Sequence, residues 1–398
     1  MINICFALHD EKGTYAKYTA VAMLSAFLCT EEKVRVFLLH DETLSNESKH
    51  RFDSMISKYG HSIEYFSIDV VDEWKKLKNI NTFTVGTMFR LLIPKVLSSD
   101  IDKVLYLDSD IVVDMDISEL WNMNFGNKLI LGRKELHYDN PIFEQGVDED
   151  TYINAGVLLF NLEGIRRKYD FFNETTAYLK AHPDCMWNDE DAINYVLDGQ
   201  QGVIENRFNS YTSKLREKNE KEFGSCIYHF AGDFPHLINM EYYDILYFDI
   251  LKETPFGKGI KIKELADGAR EKERKKRQLV DDILEKVKSV SNIVFWGAKI
   301  TSGYKEVKNI VDFSDKEVCF VDSNEELTGT RIDGYCVCDL NYKMLCKDAY
   351  VVVLAYNHYE EISKVLKHNG FVEYKDYACV TEMIYSDNWM KDYLDKVI

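Results

Sequence analysis

From the N-terminus, apolar runs and polar breaks alternate in the order strand, helix, strand, helix, strand. Residues 2–8 (INICFAL) form an apolar run that stops at the polar stretch HDEKG. YTAVAMLSAFL (18–28) then repeats its apolar positions at helical spacing. VRVFLLHD (34–41) is β-branched and aromatic, and SIEYFSID (62–69) reads as a third strand. Between them the Ser-Asn-Glu start at Ser45 predicts a helix. This alternation predicts an α/β domain with a largely parallel sheet. In such sheets ligands bind beyond the carboxyl ends of the strands. Two turns stand there: His9-Asp10, and Asp108-Ser109-Asp110 after the run Val104-Leu105-Tyr106-Leu107.

The pattern changes over KIKELADGAREKERKKRQLVDDILEKVKSV (261–290), which is dense in charge and in helix formers and contains the basic run Arg274 to Arg277. It reads as a solvated connecting helix, with a membrane-surface or acidic-partner patch as the competing reading. Beyond it, NIVFWGAKITSGYKEV (292–307) spells strand, glycine turn and helix. EVCFVDSN is a second strand ending at Asp322, and AYVVVLAY a third. The expected organisation is a first α/β domain over 1–258, a charged helical linker over 259–290, and a small Rossmann-like α/β domain over 291–398. The turn Gly297 to Gly303 departs from the dinucleotide fingerprint, with Lys299 where backbone must approach a pyrophosphate. Packing or partner docking is the favoured role of this small domain. A bound dinucleotide, its ribose held by Asp322, is the rival.

Composition narrows the picture. At 398 residues the chain exceeds one ordinary core, in keeping with two domains. A 46% hydrophobic and 29% charged make-up is that of a folded globular protein. The formal net charge of -18 offers no positive footprint for nucleic acid, so an anionic substrate needs a local basic site or a bound cation. Nine scattered cysteines without a CxxC pair read as buried free thiols in a reducing cytosol. The N-terminus lacks the leader of a signal peptide, and no later segment reaches membrane-spanning length. A cytoplasmic protein is expected, with at most peripheral contact at the inner face of a membrane.

The chemistry starts at DKVLYLDSDIVVD (102–114). Burying charge is costly unless it is paired or bound to a metal. At a strand end, residues i and i+2 point to the same side. Asp108 and Asp110 can therefore converge on one hard divalent cation, which shares its oxygen ligands with a phosphate. Without a partner, the two carboxylates would repel each other and be poorly solvated.

The wider block FRLLIPKVLSSDIDKVLYLDSDIVVDMDISELW resembles the Arg-Leu and Tyr-Leu-Asp-x-Asp segment of family 8 glycosyltransferases. INAGVLLFNLEGIR is similar to that family's Asn-Ala-Gly segment, and WNDEDAINYVLDG to its Asp-Gln-Asp segment. ENRFN and YHFAGDFPH follow in the family's order, so the likeness spans roughly residues 1–255. It implies the GT-A fold, a Rossmann-like nucleotide-diphospho-sugar transferase. It also implies a metal-dependent retaining α-glycosyltransferase, with UDP-glucose or UDP-galactose as donor and Mn²⁺ or Mg²⁺ as cofactor. The acceptor would be a hydroxyl of a glycan or glycoprotein, by default one belonging to the cell surface. Nucleic acid is not an expected partner, and homo-oligomerisation is left open.

Carried over residue by residue, Asp108 and Asp110 hold the metal with His229 as third ligand, and an imidazole suits Mn²⁺ better than Ca²⁺. Ala7, His9 and Asp10 border the uracil, with Tyr15 or its competitor Tyr18 stacked on the base. Ser109 and Gly232 join the nucleotide pocket. Arg90 orients a carboxylate or binds phosphate through its planar fork, the plainer reading being a structural ion pair. Asn154, Ala155 and Gly156 face the donor sugar or the acceptor, the glycine permitting close approach. Asp189 binds sugar hydroxyls and, with Glu190 and Arg90, makes up the expected catalytic set.

Two departures from the family pattern matter. Asp189-Glu190-Asp191 stands where the family has Asp-Gln-Asp. Glu190 then stabilises an oxocarbenium-like transition state, acts as a nucleophile, or merely accepts hydrogen bonds from the sugar. In HFAGDFPH the family's lysine and Pro-Trp are missing, with Phe234, Pro235 and His236 in their place. Either another cation serves the leaving diphosphate or the metal carries more of its charge. The alternative function is a catalytically weak nucleotide-sugar-binding or scaffold protein of the same fold.

Overall fold

The computed structural model describes residues 1–69, 74–77, 85–135, 139–218, 225–340, 349–355, 358–379, 390 and 394–395. The chain forms two compact units, Met1–Ile262 and Lys263–Val397. The first contains β1 (Ile2–Leu8), β2 (Val34–His40), β3 (Ser62–Ser67), β4 (Lys103–Leu107) and β5 (Ile111–Asp114). It continues with β6 (Ile130–Lys134), β7 (Ile153–Asn161), β8 (Gln201–Ile204), β9 (Ser210–Tyr211) and β10 (Cys226–His229).

Seven of these strands make one sheet in the order β3-β2-β1-β4-β7-β6-β8. β1 to β4 run parallel, β8 is parallel to β6, and β7 is antiparallel to both its neighbours. The central strands are covered on both faces, so they read as near-continuous apolar runs. In β4, Val104 to Leu107 are all buried. The helix Tyr15–Leu28 is buried from Ala16 through Phe27, which is why small and apolar residues fill all its sides. Its first N–H groups are met from outside: the Tyr15 amide donates to Asp10 Oδ1 at 2.7 Å. The helix Asn46–Lys58 starts where expected, its Ser45 cap accepting the Ser48 N–H.

Strand order reverses at β1, with β2 on one side and β4 on the other. The carboxyl ends of β1 and β4 thus open onto one crevice, and both sequence-marked turns border it. A smaller sheet, β5-β10-β9, leaves from the same place. β10 runs antiparallel to β5 and sets His229 opposite Ile111.

The second unit holds β11 (Asn292–Trp296), β12 (Glu317–Val321), β13 (Arg331–Ile332), β14 (Tyr335–Cys338), β15 (Ala349–Val353) and β16 (Tyr377–Ala378). They form one sheet in the order β13-β14-β12-β11-β15-β16, parallel except for the β13–β14 pair. The stretch expected as a linker contains the helix Ile262–Ser289, whose Ile283, Leu284 and Val287 join the core of this unit. In its basic run, Arg274 and Lys275 pair with Glu271, and Arg277 with Glu273, as a solvated helix does. Asp322 closes its own loops: Oδ2 accepts the Ala298 N–H at 2.8 Å and Oδ1 the Asn324 N–H at 3.0 Å. Among the described residues, no helix is long and apolar enough to cross a membrane.

Candidate functional site

Asp108, Ser109 and Asp110 connect β4 of the large sheet to β5 of the small one. The turn is tied on both sides. The Asp108 N–H donates to Gly156 O at 2.8 Å, and the Phe230 N–H to Asp110 O at 2.9 Å. Asp108 receives Arg90 Nη2 at 2.8 Å and the Tyr106 hydroxyl at 2.7 Å, both on Oδ1. Burial raises the Asp108 carboxyl above its usual range; Arg90 opposes that shift and the neighbouring Asp110 adds to it. His229 Nε2 lies 3.2 Å from Asp110 Oδ1 and 3.8 Å from Asp108 Oδ2. Ligand atoms of Asp108, Asp110 and His229 all fall within 4.8 Å of one another, close enough for one cation.

The other side of the His229 ring tells which nitrogen is available to a metal. The Gly156 N–H donates to Asn154 Oδ1 at 2.9 Å, which fixes the Asn154 amide. Asn209 Nδ2 also donates to that oxygen, at 2.8 Å. Asn209 must therefore turn its own oxygen to His229 Nδ1, 2.9 Å away. Nδ1 carries a proton and Nε2 is the nitrogen that faces the carboxylates, the arrangement a metal-ligating histidine takes; burial alone would lower the pKa of the ring, but the charge of Asp110 and its hydrogen bond raise it. Gly156 makes room for it: a Cβ there would lie 2.9 Å from Asp108 Oδ2 and 2.9 Å from His229 Nδ1. The donor set of two carboxylates and one imidazole fits a divalent cation. We expect Asn209→Ala to weaken divalent-cation affinity by about tenfold to a hundredfold in a calorimetric titration. Unchanged affinity would remove Asn209 from this role.

Arg90 sits on the short helix Val85–Leu92 and is 3% exposed. Besides Asp108, it pairs through Nε with Asp189 Oδ2 at 3.0 Å, donates to Ala155 O, and lies over the Tyr106 ring. These contacts tie Arg90 to two carboxylates from separate segments. Asp189 and Glu190 open the helix Asn188–Val196 and are buried. Burial pushes the Asp189 carboxyl up to about 7, against the pull of Arg90 and with help from Asp108 and Glu190. Glu190 Oε2 accepts from Asn154 Nδ2 at 2.8 Å and from the Ala155 N–H at 3.0 Å. Hydrogen bonds therefore run without a break from Glu190 through Asn154 and Asn209 to His229. The third acid, Asp191, is fully buried and fixed by Asn140, Tyr152 and the Trp187 N–H.

At the other edge of the crevice, Ala7 O accepts the Ser109 hydroxyl at 3.4 Å, and Thr19 donates to Ser109 at 2.9 Å. Of the two competing tyrosines, Tyr15 is 36% exposed whereas Tyr18 is 6% exposed and packs on Tyr247. Of the two, Tyr15 is the more accessible. Gly232 takes a left-handed φ of 66° in the loop after β10. A cation reaches that loop from the helix Thr212–Lys218: Arg216 bonds Asp233 at 2.8 Å and Asp244 at 2.6 Å. Burial would raise the Asp233 carboxyl; His236 and Arg216 outweigh it and hold it well below the usual range. The sequence reasoning assigned no role to Asn209 or Tyr106. Asn209 closes the ENRFN motif, which was a signal without a chemistry attached.

Residues 3–234 match the family Glycosyl transferase family 8. A glycosyltransferase-like protein of Haemophilus influenzae is 26% identical over 218 residues, 54% of this chain and 65% of its own length. The lipopolysaccharide 1,3-galactosyltransferase of Salmonella typhimurium is 25% identical over 213 residues, 48% of this chain and 59% of that enzyme. The chain thus spans less than two thirds of either relative. Among solved structures, the galactosyltransferase LgtC with donor and acceptor sugar analogs is 22% identical, with a TM-score of 0.56 over 64% of this chain and 96% of that one. That likeness shows a shared fold, GT-A.

Proposed function

The chain belongs to glycosyl transferase family 8, and from that premise we propose that it is a metal-dependent, retaining α-hexosyltransferase using UDP-glucose or UDP-galactose. The observation that carries this reading is the convergence of Asp108, Asp110 and Nε2 of His229, whose Nδ1 is engaged by Asn209, on one point. A divalent ion held there supplies charge compensation for a leaving diphosphate. Arg90 keeps Asp108 and Asp189 in place across the crevice. Asn154 and the Ala155 N–H hold Glu190, and hydrogen bonds to a carboxylate oxygen lower its basicity. We therefore assign Glu190 to stabilising positive charge at the anomeric carbon and Asp189 to holding sugar hydroxyls.

In the proposed step the acceptor oxygen bonds to the anomeric carbon on the face the diphosphate leaves. The carbon–oxygen bond to the diphosphate breaks with its electron pair going to UDP, and the acceptor proton passes to the leaving phosphate oxygen. The acceptor is a glycan or glycoprotein hydroxyl, modified in the cytosol or at the inner face of a membrane. The absence of a membrane-spanning helix among the described residues is compatible with that setting.

Purified protein with Mn²⁺ and either UDP-sugar is expected to release UDP slowly even without acceptor, and faster with one. Metal-dependent UDP binding without release, across a panel of donors and acceptors, would move the chain to the nucleotide-sugar-binding alternative. Neither binding nor release would overturn both readings.

A further inference from the structure

The second unit gathers thiols on one face of its sheet. At the tip of the β13–β14 hairpin, Asp333 with φ 50° and Gly334 with φ 85° make the two-residue turn that such a hairpin favours. That turn fixes the register, setting Arg331 opposite Cys336 and Ile332 opposite Tyr335. On its other side β14 lies parallel to β12, with Phe320 beside Val337 and Val321 beside Cys338. Side chains alternate along a strand, so the two registers sort them by face. Val318, Phe320, Ile332, Tyr335 and Val337 pack in the core on one face. Cys319, Val321 and Cys338 pack on the other. Cys336 and Arg331 share that second face, and one step back along the register Cys319 stands across from Cys336. Arg331, Cys336 and Cys319 thus form a row over three neighbouring strands.

We propose that Cys336 and Cys319 are a redox pair: Cys336, beside the Arg331 guanidinium, is oxidised by a hydroperoxide, and Cys319 resolves the product into a disulfide that staples β14 to β12. Exposure assigns the order. Cys336 is open to solvent, whereas Cys319 is half-buried against the core. The thiolate is the form that reacts with peroxide, and a neighbouring cation favours it. Burial pushes the Cys319 thiol up to about 12, and the adjacent Cys338 adds to the shift, so Cys319 stays protonated until a partner is oxidised. In the first step the Cys336 sulfur attacks the peroxide, the O–O bond breaks, and a sulfenic acid forms with release of water. In the second the Cys319 sulfur displaces that oxygen, and its proton leaves with the hydroxide as a second water. Two thiols have then given up two electrons and the peroxide has taken them.

Strand geometry selects this pair over its neighbours. Residues directly across adjacent strands are about 4.8 Å apart, inside the range of Cα separations a disulfide spans. Cys338 shares a hydrogen bond with Cys319 but lies two residues further along the register. Diagonal neighbours are about 7–8 Å apart, more than a bridge tolerates without backbone movement. Cys336 and Cys338 stand on one strand, their Cβ atoms about 6.6 Å apart where a disulfide needs about 4 Å. Cys319 reaches Cys336 by rotation about its own Cα–Cβ bond. The staple acts on the edge of the sheet, because β13 and β14 are short, Arg331–Ile332 and Tyr335–Cys338. A covalent tie to β12 then holds a hairpin that a short ladder holds otherwise.

The test adds a small excess of hydrogen peroxide to the reduced full chain, blocks the remaining thiols with N-ethylmaleimide, and maps the peptides by mass spectrometry. A linked Cys319–Cys336 peptide that dithiothreitol releases is expected as the main product. Cys338 bridged to either thiol in its place overturns the proposal, and so does the absence of any bridge. This arm needs no substitution, so it decides the matter even where a variant fails to fold. Cys319→Ser should leave Cys336 as a sulfenic acid that dimedone labels, and Cys336→Ser should leave Cys319 unlabelled; the reverse pattern overturns the order. Arg331→Gln is expected to slow bridge formation by about threefold to tenfold, with Arg331→Lys restoring most of the rate. A glutamine variant as fast as the unaltered protein removes Arg331 from the pair. On oxidation, amide exchange over 331–338 should slow at least about tenfold, and unchanged exchange overturns the staple. None of these readouts uses transferase activity, so they stand or fall apart from the reading of the first unit.

Discussion

Asp110→Asn is expected to lower metal-dependent UDP release at least about a thousandfold, the scale of removing a cation's stabilisation of a leaving group. Asp110 is the clean probe of the pair. Asp108 is also the partner of Arg90 and Tyr106, so its loss would disturb the core along with the site. Asp110 is more exposed, its side chain 32% accessible, and its charge acts to raise the Asp108 pKa. Removing it relieves that repulsion, so the metal-free melting temperature should stay within a few degrees of the unaltered protein while Mn²⁺ affinity collapses. Undiminished turnover by this variant would show the metal assignment to be wrong. A parallel loss of fold and activity would show that Asp110 serves structure instead.

Arg90→Met should produce the largest loss of stability, about 3–5 kcal/mol near neutral pH. The guanidinium is buried against two carboxylates, Asp108 and Asp189, and also bonds the carbonyls of Thr87 and Ala155. Methionine fills the space and leaves both acids without a counter-charge. The pH dependence has a definite sign. Asp189 already sits at about 7, above its ordinary value of 3.8, and loses the charge that pulls it down most. An acid whose folded pKa is raised favours the folded state at low pH and loses that contribution as pH rises through the folded pKa. The deficit should therefore narrow between about pH 8 and about pH 5 as both carboxylates take up protons. Thermal melts at the two pH values read it directly. An equal deficit at both would mean that lost packing, not unpaired charge, explains the variant.

Much of the first unit was legible in the sequence because its signals are local. β1, β2 and β4 are covered on both faces, so a run such as Val104 to Leu107 announces itself without reference to the rest of the chain. Ser45 marked its helix for the same reason, through a bond three residues long. The carboxylates of Asp108 and Asp110 stood out by contrast with that run. What was not legible depends on distant pairings. Nothing near His229 says that β10 lies against β5, and only that pairing sets its imidazole beside Asp110. The place of Arg90 between Asp108 and Asp189 joins three separate segments, so the sequence left open whether it orients a carboxylate, binds phosphate or makes a structural ion pair. Tyr15 and Tyr18 belong to one helix, and what separates them is burial: Tyr18 is 6% exposed and packs on Tyr247, whereas Tyr15 is 36% exposed. Asp41 drew no notice as the last residue of VRVFLLHD, because its partner His9 lies in the turn after the neighbouring strand β1.

The third metal-ligand candidate comes from β10, on the small sheet that leaves the main one at Asp110. That places assembly of the site late in the life of a nascent chain. A ribosome that has just released Asp110 must add about 120 more residues before His229 follows, on the order of ten seconds at ordinary elongation rates. Throughout that interval the strands of the parallel half can pair while the two carboxylates remain without their imidazole. An ion held there would be captured by a fold already largely built, rather than acting as the template around which the sheet forms. Refolding in the presence of a chelator should accordingly recover the main sheet at its usual rate, with metal affinity appearing only once β10 has docked.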